Sequence, residues 1–172
     1  MSRARTRPDE SHKPSYITAE GYRRLEEEAH HLWTVERPKL TRAIAIAAAE
    51  GDRSENAEYI YGKRKLFEVD RRLQHLGKRL DVLTIVSETP KDDGRVYFGG
   101  FVTLSDEDGQ LRTLQIVGPD ETDTAGGKVS CESPMGIAML GRSVGDEVVV
   151  PRPKGEACFT LEAVSSRPPT TK

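Results

Sequence analysis

Leu66, Val69, Leu73, Leu76, Leu80 and Leu83 follow one another at intervals of 3, 4, 3, 4 and 3 residues. On a helix with about 3.6 residues per turn, that spacing lays the apolar side chains along one narrow seam. A seam this narrow does not fill a broad core; it asks for one partner helix laid alongside. The chain offers such a helix immediately upstream. Leu25, Ala29, Leu32, Leu40, Ile44 and Ala47 or Ala48 form a second helical stripe, with Thr18 as a candidate N-cap and Gly51 as a natural stop. Two stripes joined by a short turn predict an antiparallel helical hairpin. Each arm has about 30 residues and is therefore on the order of 45 Å long. Pro38 lies inside the first stripe. Because the periodicity resumes after it, a local kink is expected rather than a helix end.

The pattern changes at Pro90-Lys-Asp-Asp-Gly94. Residues 95–98, 101–104, 111–117, 129–132, 148–150 and 157–164 read as short strands, with Asp106-Glu-Asp-Gly109 as a hairpin turn. Ser133-Pro134 opens a short helix that Gly141 stops. The expected fold class is α+β: an arm over residues 1–15, a coiled-coil hairpin over 16–88, a small α+β domain over 89–166 and a tail over 167–172.

Residues 1–84 carry 17 Lys and Arg against 14 Asp and Glu, and residues 85–172 carry 9 against 14, so +3 and −5 make up the net −2. A near-neutral total thus hides a basic first half and an acidic second half. Cys131 and Cys158 stand in no metal-like spacing and are expected as reduced thiols. No apolar run approaches a membrane span, and the first residues lead into no signal-peptide core, so a cytoplasmic location is expected.

The chemistry is concentrated in the turn of the hairpin. Residues 50–58, Glu50-Gly-Asp-Arg-Ser-Glu-Asn-Ala-Glu58, hold Glu50, Asp52, Glu55 and Glu58 with Arg53 as the one base. Asp52-Arg-Ser-Glu55 has capping-box spacing, and capping is the more ordinary use of such a pair. Capping does not require four acids in nine residues, where like charges repel. Two carboxylates can instead share a hard cation such as Mg²⁺, but they cannot enclose it. The remaining ligands would have to come from another protein, a division of labour that suits two-metal phosphoryl chemistry. Residues 60–80 then hold Lys63, Arg64, Lys65, Arg71, Arg72, Lys78 and Arg79 against Glu68 and Asp70. Beside an acidic turn, this basic run reads as a phosphate track, although a solvated coiled-coil face would look the same in isolation. Tyr59 and Tyr61 could stack on a base or pack the hairpin end.

These parts together resemble the bacterial Gre transcript-cleavage factors, and more closely the GreB type than GreA. The resemblance rests on Tyr16-Ile-Thr-Ala-Glu-Gly-Tyr22, Glu36-Arg-Pro38, Gly51-Asp-Arg-Ser-Glu-Asn-Ala-Glu-Tyr59, Asp70-Arg-Arg-Leu73, Gly94-Arg-Val-Tyr-Phe-Gly99, Ile116-Val-Gly-Pro-Asp-Glu121, Ser133-Pro-Met135 and Val144-Gly-Asp-Glu-Val148. It implies an FKBP-like second domain that docks on RNA polymerase at the mouth of its secondary channel, with the hairpin entering the channel. Asp52 and Glu55 match the family's tip acids. They would help to hold the second catalytic Mg²⁺ and orient the attacking water, so that backtracked nascent RNA is cut near its 3′ end. The ion is shared with the polymerase and not stably held by the free chain. Lys63, Arg64, Lys65, Arg71 and Arg72 would guide the extruded RNA, and a track of this type would favour longer fragments. Glu58 matches an acidic family position without being a ligand. The protein would then be a cofactor of the polymerase and not itself an enzyme.

Two other readings stay open from sequence: a secondary-channel regulator that does not cleave, and an interaction protein that dimerises through the leucine seam. A hairpin consumes that seam internally, so a monomer is expected. The second domain is not read as a prolyl isomerase, because only Tyr97, Phe98, Phe101 and Phe159 are available to line such a pocket. The arm over residues 1–15 has no counterpart in the resemblance.

Overall fold

The computed structural model describes residues 15–49, 56–152 and 155–169. The chain divides into two compact units, one of Tyr22–Leu83 and one that joins Ser15–Gly21 to the chain from Thr84 onward.

The first unit is the hairpin. Its first arm runs through α1 (Ala19–His31), a π-helical turn (Leu32–Glu36) and α2 (Arg37–Ala49), and its second arm is α3 (Ala57–Val82). The two predicted stripes face each other. Leu76, Leu25 and Ala47 are buried, while Leu66, Val69, Leu73 and Leu80 on one arm and Leu32, Leu40 and Ile44 on the other are half-buried. Half-burial is what a two-helix seam yields, because each side chain has a partner on one side only. The arms come close at Gly62, where a Cβ would stand 2.8 Å from Ile44 Cγ1.

The expected kink at Pro38 takes a different form. The Arg37 N–H bonds to the Leu32 carbonyl, five residues back. The helical ladder is therefore widened just before the proline, which has no N–H to give and whose ring would crowd the carbonyl four residues earlier. The helix then continues without ending. The seam is also one residue shorter than predicted. Leu83 leaves the helix with ψ of 133° and begins β2 (Leu83–Val86).

β2 pairs with β1 (Ser15–Thr18) in a two-stranded sheet. Residue 15, expected in the arm, is thus the first residue of a strand that leads into the helix start at Thr18. The larger sheet contains β3 (Phe101–Asp106), β4 (Leu111–Val117), β5 (Lys128–Ser130), β6 (Glu147–Arg152) and β7 (Gly155–Ser165), in the order β5-β4-β3-β7-β6. All pairings are antiparallel except β4 with β5. The turn between β3 and β4 is the predicted one, with Gly109 at φ 75° donating to the Asp106 carbonyl. α4 (Pro134–Met139) starts on Ser133, whose side chain accepts from the Gly136 N–H. Val96, Val102, Leu104, Ile116, Met139, Val148, Val150, Phe159 and Leu161 form the core. The strand expected over 95–98 is absent. Arg95 makes one isolated bridge to Ser143, and the chain then turns so that Gly100 N–H reaches the Tyr97 carbonyl.

One buried carboxylate organises the start of α1 in this second unit. The Thr18 hydroxyl accepts from the Gly21 N–H at 3.0 Å, the first half of a capping box. The other half normally comes from an acidic residue three positions on, but that position is Gly21. Glu121, 3% exposed, supplies it from 103 residues away. It accepts the Thr18 N–H at 2.9 Å, the Thr18 hydroxyl, and the Gly118 N–H at 3.1 Å. Gly21 is required because a Cβ there would collide with the Glu121 carboxylate.

Candidate functional site

The turn ends at Asn56, which is the N-cap of α3. Its backbone is extended, at φ −80° and ψ 102°, and its side-chain oxygen accepts the Tyr59 N–H at 3.1 Å. Its amide nitrogen donates to the Ala47 carbonyl at 2.9 Å. One side chain thus satisfies an orphan donor of the second arm and a late carbonyl of the first. The N-cap of α3 is thus Asn56, the residue after the Asp52-Arg-Ser-Glu55 segment whose spacing suits a capping box. The predicted metal and tip residues Asp52 and Glu55, with Glu50, Gly51 and Arg53, lie outside the described residues. Glu58 is exposed in the first turn of α3. Among the described residues, no group of three or more His, Cys, Asp or Glu comes together in a way that could hold a metal ion. Asn56→Ala is expected to lower hairpin stability by about 1–2 kcal/mol, the upper part of the range for a lost cap because two helix ends lose a partner. Helical ellipticity followed through thermal unfolding measures it.

The predicted basic track is differentiated by its partners. Lys63 lies over the Tyr59 ring at 5.5 Å and Lys65 over the Tyr61 ring at 5.8 Å. Lys65 also reaches Glu68 at 3.0 Å, and that hydrogen bond holds its ammonium above the ordinary lysine range. Arg72 is clamped across the hairpin by Glu28, with bonds of 2.7 and 2.8 Å. Arg37, stacked on Trp33 at 5.2 Å, pairs with Asp70 at 2.8 Å. Of the other predicted shaft bases, Arg79 is buried and Lys78 half-buried. Arg64 and Arg71 remain exposed. The partners of Lys63 and Lys65 lie within four residues on the same helix, whereas that of Arg72, Glu28, lies 44 positions away on the other arm and is not legible from local sequence.

The Arg72 hydrogen bonds, reinforced by the charge of Arg72 and neighbouring bases and opposed by desolvation, hold the Glu28 carboxyl below its ordinary value of 4.5. A depressed carboxyl stabilises the fold above that value, and the contribution is lost as the pH falls through the lower folded one. The pair is largely exposed and screened. Glu28→Gln is therefore expected to cost no more than about 1 kcal/mol at neutral pH, and the difference from wild type should close below pH 4.5. Urea unfolding at a series of pH values reads it.

In the second unit a cavity of about 460 Å³ opens between the sheet and α4, lined by Leu104, Arg112, Leu114, Met135, Val150 and Phe159 among others. Of the aromatics considered from sequence, Phe159 alone borders it. Among the described residues no helix is long and apolar enough to cross a membrane.

Residues 15–85 match the family domain described as "Transcription elongation factor, N-terminal", and residues 90–166 match "Transcription elongation factor, GreA/GreB, C-term". A protein named transcription elongation factor GreB from Yersinia pestis is 49% identical over 156 residues, covering 91% of this chain and 91% of that protein. One of the same name from Pseudomonas aeruginosa is 47% identical over 165 residues, covering 96% and 98%. Among solved structures, GreA factor homolog 1 (Gfh1) of Thermus thermophilus aligns at 25% identity over 89% of this chain and 99% of that one, with a TM-score of 0.41.

Proposed function

This chain belongs to the GreA/GreB family of transcription elongation factors, and on that premise we propose that it carries two carboxylates to the active site of RNA polymerase. The C-terminal unit docks at the mouth of the secondary channel, and the hairpin enters. Asp52 and Glu55 add hard oxygen ligands to a Mg²⁺ site whose other ligands belong to the polymerase. When bound, such an ion supplies an activated water and neutralises charge at the scissile phosphate. The carboxylates orient that water, and the exposed bases of α3 hold the extruded transcript in line. Backtracked nascent RNA is cut near its 3′ end, and the new end is in register for extension. The protein is an elongation factor and not an enzyme in its own right.

The observation that carries this reading is the cap at Asn56. The N-cap of α3 is Asn56, four positions beyond Asp52 and one beyond Glu55. Acids in the turn of a hairpin whose second arm is basic suit a site completed by a partner. The test adds the chain to backtracked elongation complexes with 5′-labelled transcripts. The labelled RNA should shorten and then extend when nucleotides are supplied. Slowed elongation with no shortening would favour the non-cleaving channel regulator instead.

A further inference from the structure

Opposite the leucine seam, α3 turns a second stripe to solvent. Ile60, Arg64, Phe67 and Arg71 recur at intervals of 4, 3 and 4 residues. At about 100° per residue they fall within roughly 60° of one another, on the face away from Leu73 and Leu80. Ile60 is 52% exposed and Phe67 69%. Arg64 reaches Glu68 only at 3.8 Å, its side chain 81% exposed, and Glu68 is already held by Lys65. Arg71 is exposed, with no acidic partner among the described residues.

A lone exposed apolar residue on a soluble helix needs no explanation. Phe67 differs in two respects. The rings of Tyr59 and Tyr61 are covered by lysine ammonium groups, whereas Phe67 has no ring or cation partner among the described residues. It also stands between Arg64 at i−3 and Arg71 at i+4, neighbours about 5–6 Å away on a helix surface. A flat, open ring bracketed by two cations complements a flat base joined to phosphates on either side. An apolar protein groove would have to strip water from both guanidinium groups to reach the same ring, at a cost it does not recover without paired acids.

We infer that Phe67 is a base-stacking position for single-stranded RNA, with Arg64 and Arg71 holding the flanking phosphates. The inference rests on α3 being the transcript track of the proposed function, and adds that the track grips a base and not charge alone. The test is the affinity of the full chain, by fluorescence anisotropy at low salt, for labelled oligouridylate and for a base-free ribose-phosphate strand of equal length. Phe67→Leu keeps apolar bulk and helix propensity but removes the flat ring. It should weaken oligouridylate binding about tenfold and leave the base-free strand unchanged. Phe67→Trp should bind at least as well as wild type. Replacing Arg64 and Arg71 together by Gln should weaken both strands and reduce the slope of log K against log salt by about 1.4.

Equal binding of the two strands by wild type, undetectable binding of both, or an equal loss on both in Phe67→Leu overturns the inference. So does a Phe67→Leu loss in binding to RNA-free polymerase, which would assign the ring to a protein wall. Because no cleavage is read, the outcome is separate from that of the tip. Normal cleavage by a Glu55→Gln chain would sink the proposed function and leave the stacking position standing, and unchanged RNA binding by Phe67→Leu would do the reverse.

Discussion

Glu55→Gln and Asp52→Asn are each expected to slow transcript cleavage in backtracked complexes by on the order of 10²-fold, with binding to RNA polymerase retained. The amides keep the size of each side chain and remove the charge. A metal ion stabilises developing charge by several kcal/mol, and losing about 3 kcal/mol of that through a weakened ligand corresponds to a factor of about 10². If both carboxylates serve one ion, as proposed, the double variant should be little worse than either single one. That non-additivity separates a shared site from two independent electrostatic effects, whose losses would multiply. Higher Mg²⁺ should recover part of the single variants' activity, because a weakened site is filled by mass action. Wild-type cleavage by either variant would remove that carboxylate from the site.

Glu121→Ala is expected to be the most damaging of the substitutions considered for the second unit. The change leaves the Thr18 and Gly118 N–H groups without their acceptor in a place where the replaced side chain was 3% exposed. Unsatisfied buried donors cost about 1–3 kcal/mol each, so a loss of about 3 kcal/mol follows, or roughly 6–12 °C in Tm for a chain of this size. Glu121→Gln should be far milder. Its amide oxygen can accept both N–H groups while its NH₂ donates to the Thr18 hydroxyl, which still accepts from Gly21. Gly21→Ala should resemble Glu121→Ala, because the added methyl displaces the carboxylate. Calorimetry of the three variants measures this, and an unchanged Tm for Glu121→Ala would show the carboxylate to be dispensable.

The hairpin was legible because its signal is local. A 3, 4, 3, 4 repeat names both the helix and the face it buries, and Leu76 is the deepest point of that face. The sheet strands around Asp106-Gly109 and the Ser133-Pro134 helix start were legible for the same reason, since turn and cap chemistry act over a few residues. What escaped depends on distant partners. Ser15–Thr18 is a strand only because Leu83–Val86 pairs with it. Nothing near Glu121 in sequence says that it completes a helix cap at Thr18, 103 residues away. At the site, Asp52 and Glu55 met the spacing rule for a capping box, while Asn56 alone has the donor that closes on the Ala47 carbonyl. A carboxylate cannot donate that bond, which was the available clue. Phe67 carries no charge, and its place between Arg64 and Arg71 follows from the helical faces of α3 and not from the order of charges along it.

In the proposed function the chain holds half of a site and the polymerase the rest. Labelled RNA incubated with the purified chain and Mg²⁺ alone should remain intact. The same chain at the same Mg²⁺ concentration, added to a backtracked complex of RNA polymerase on that RNA, should release 3′ fragments. Cleavage of free RNA by the isolated chain, abolished by Glu55→Gln so that it cannot be a contaminant, would contradict the account.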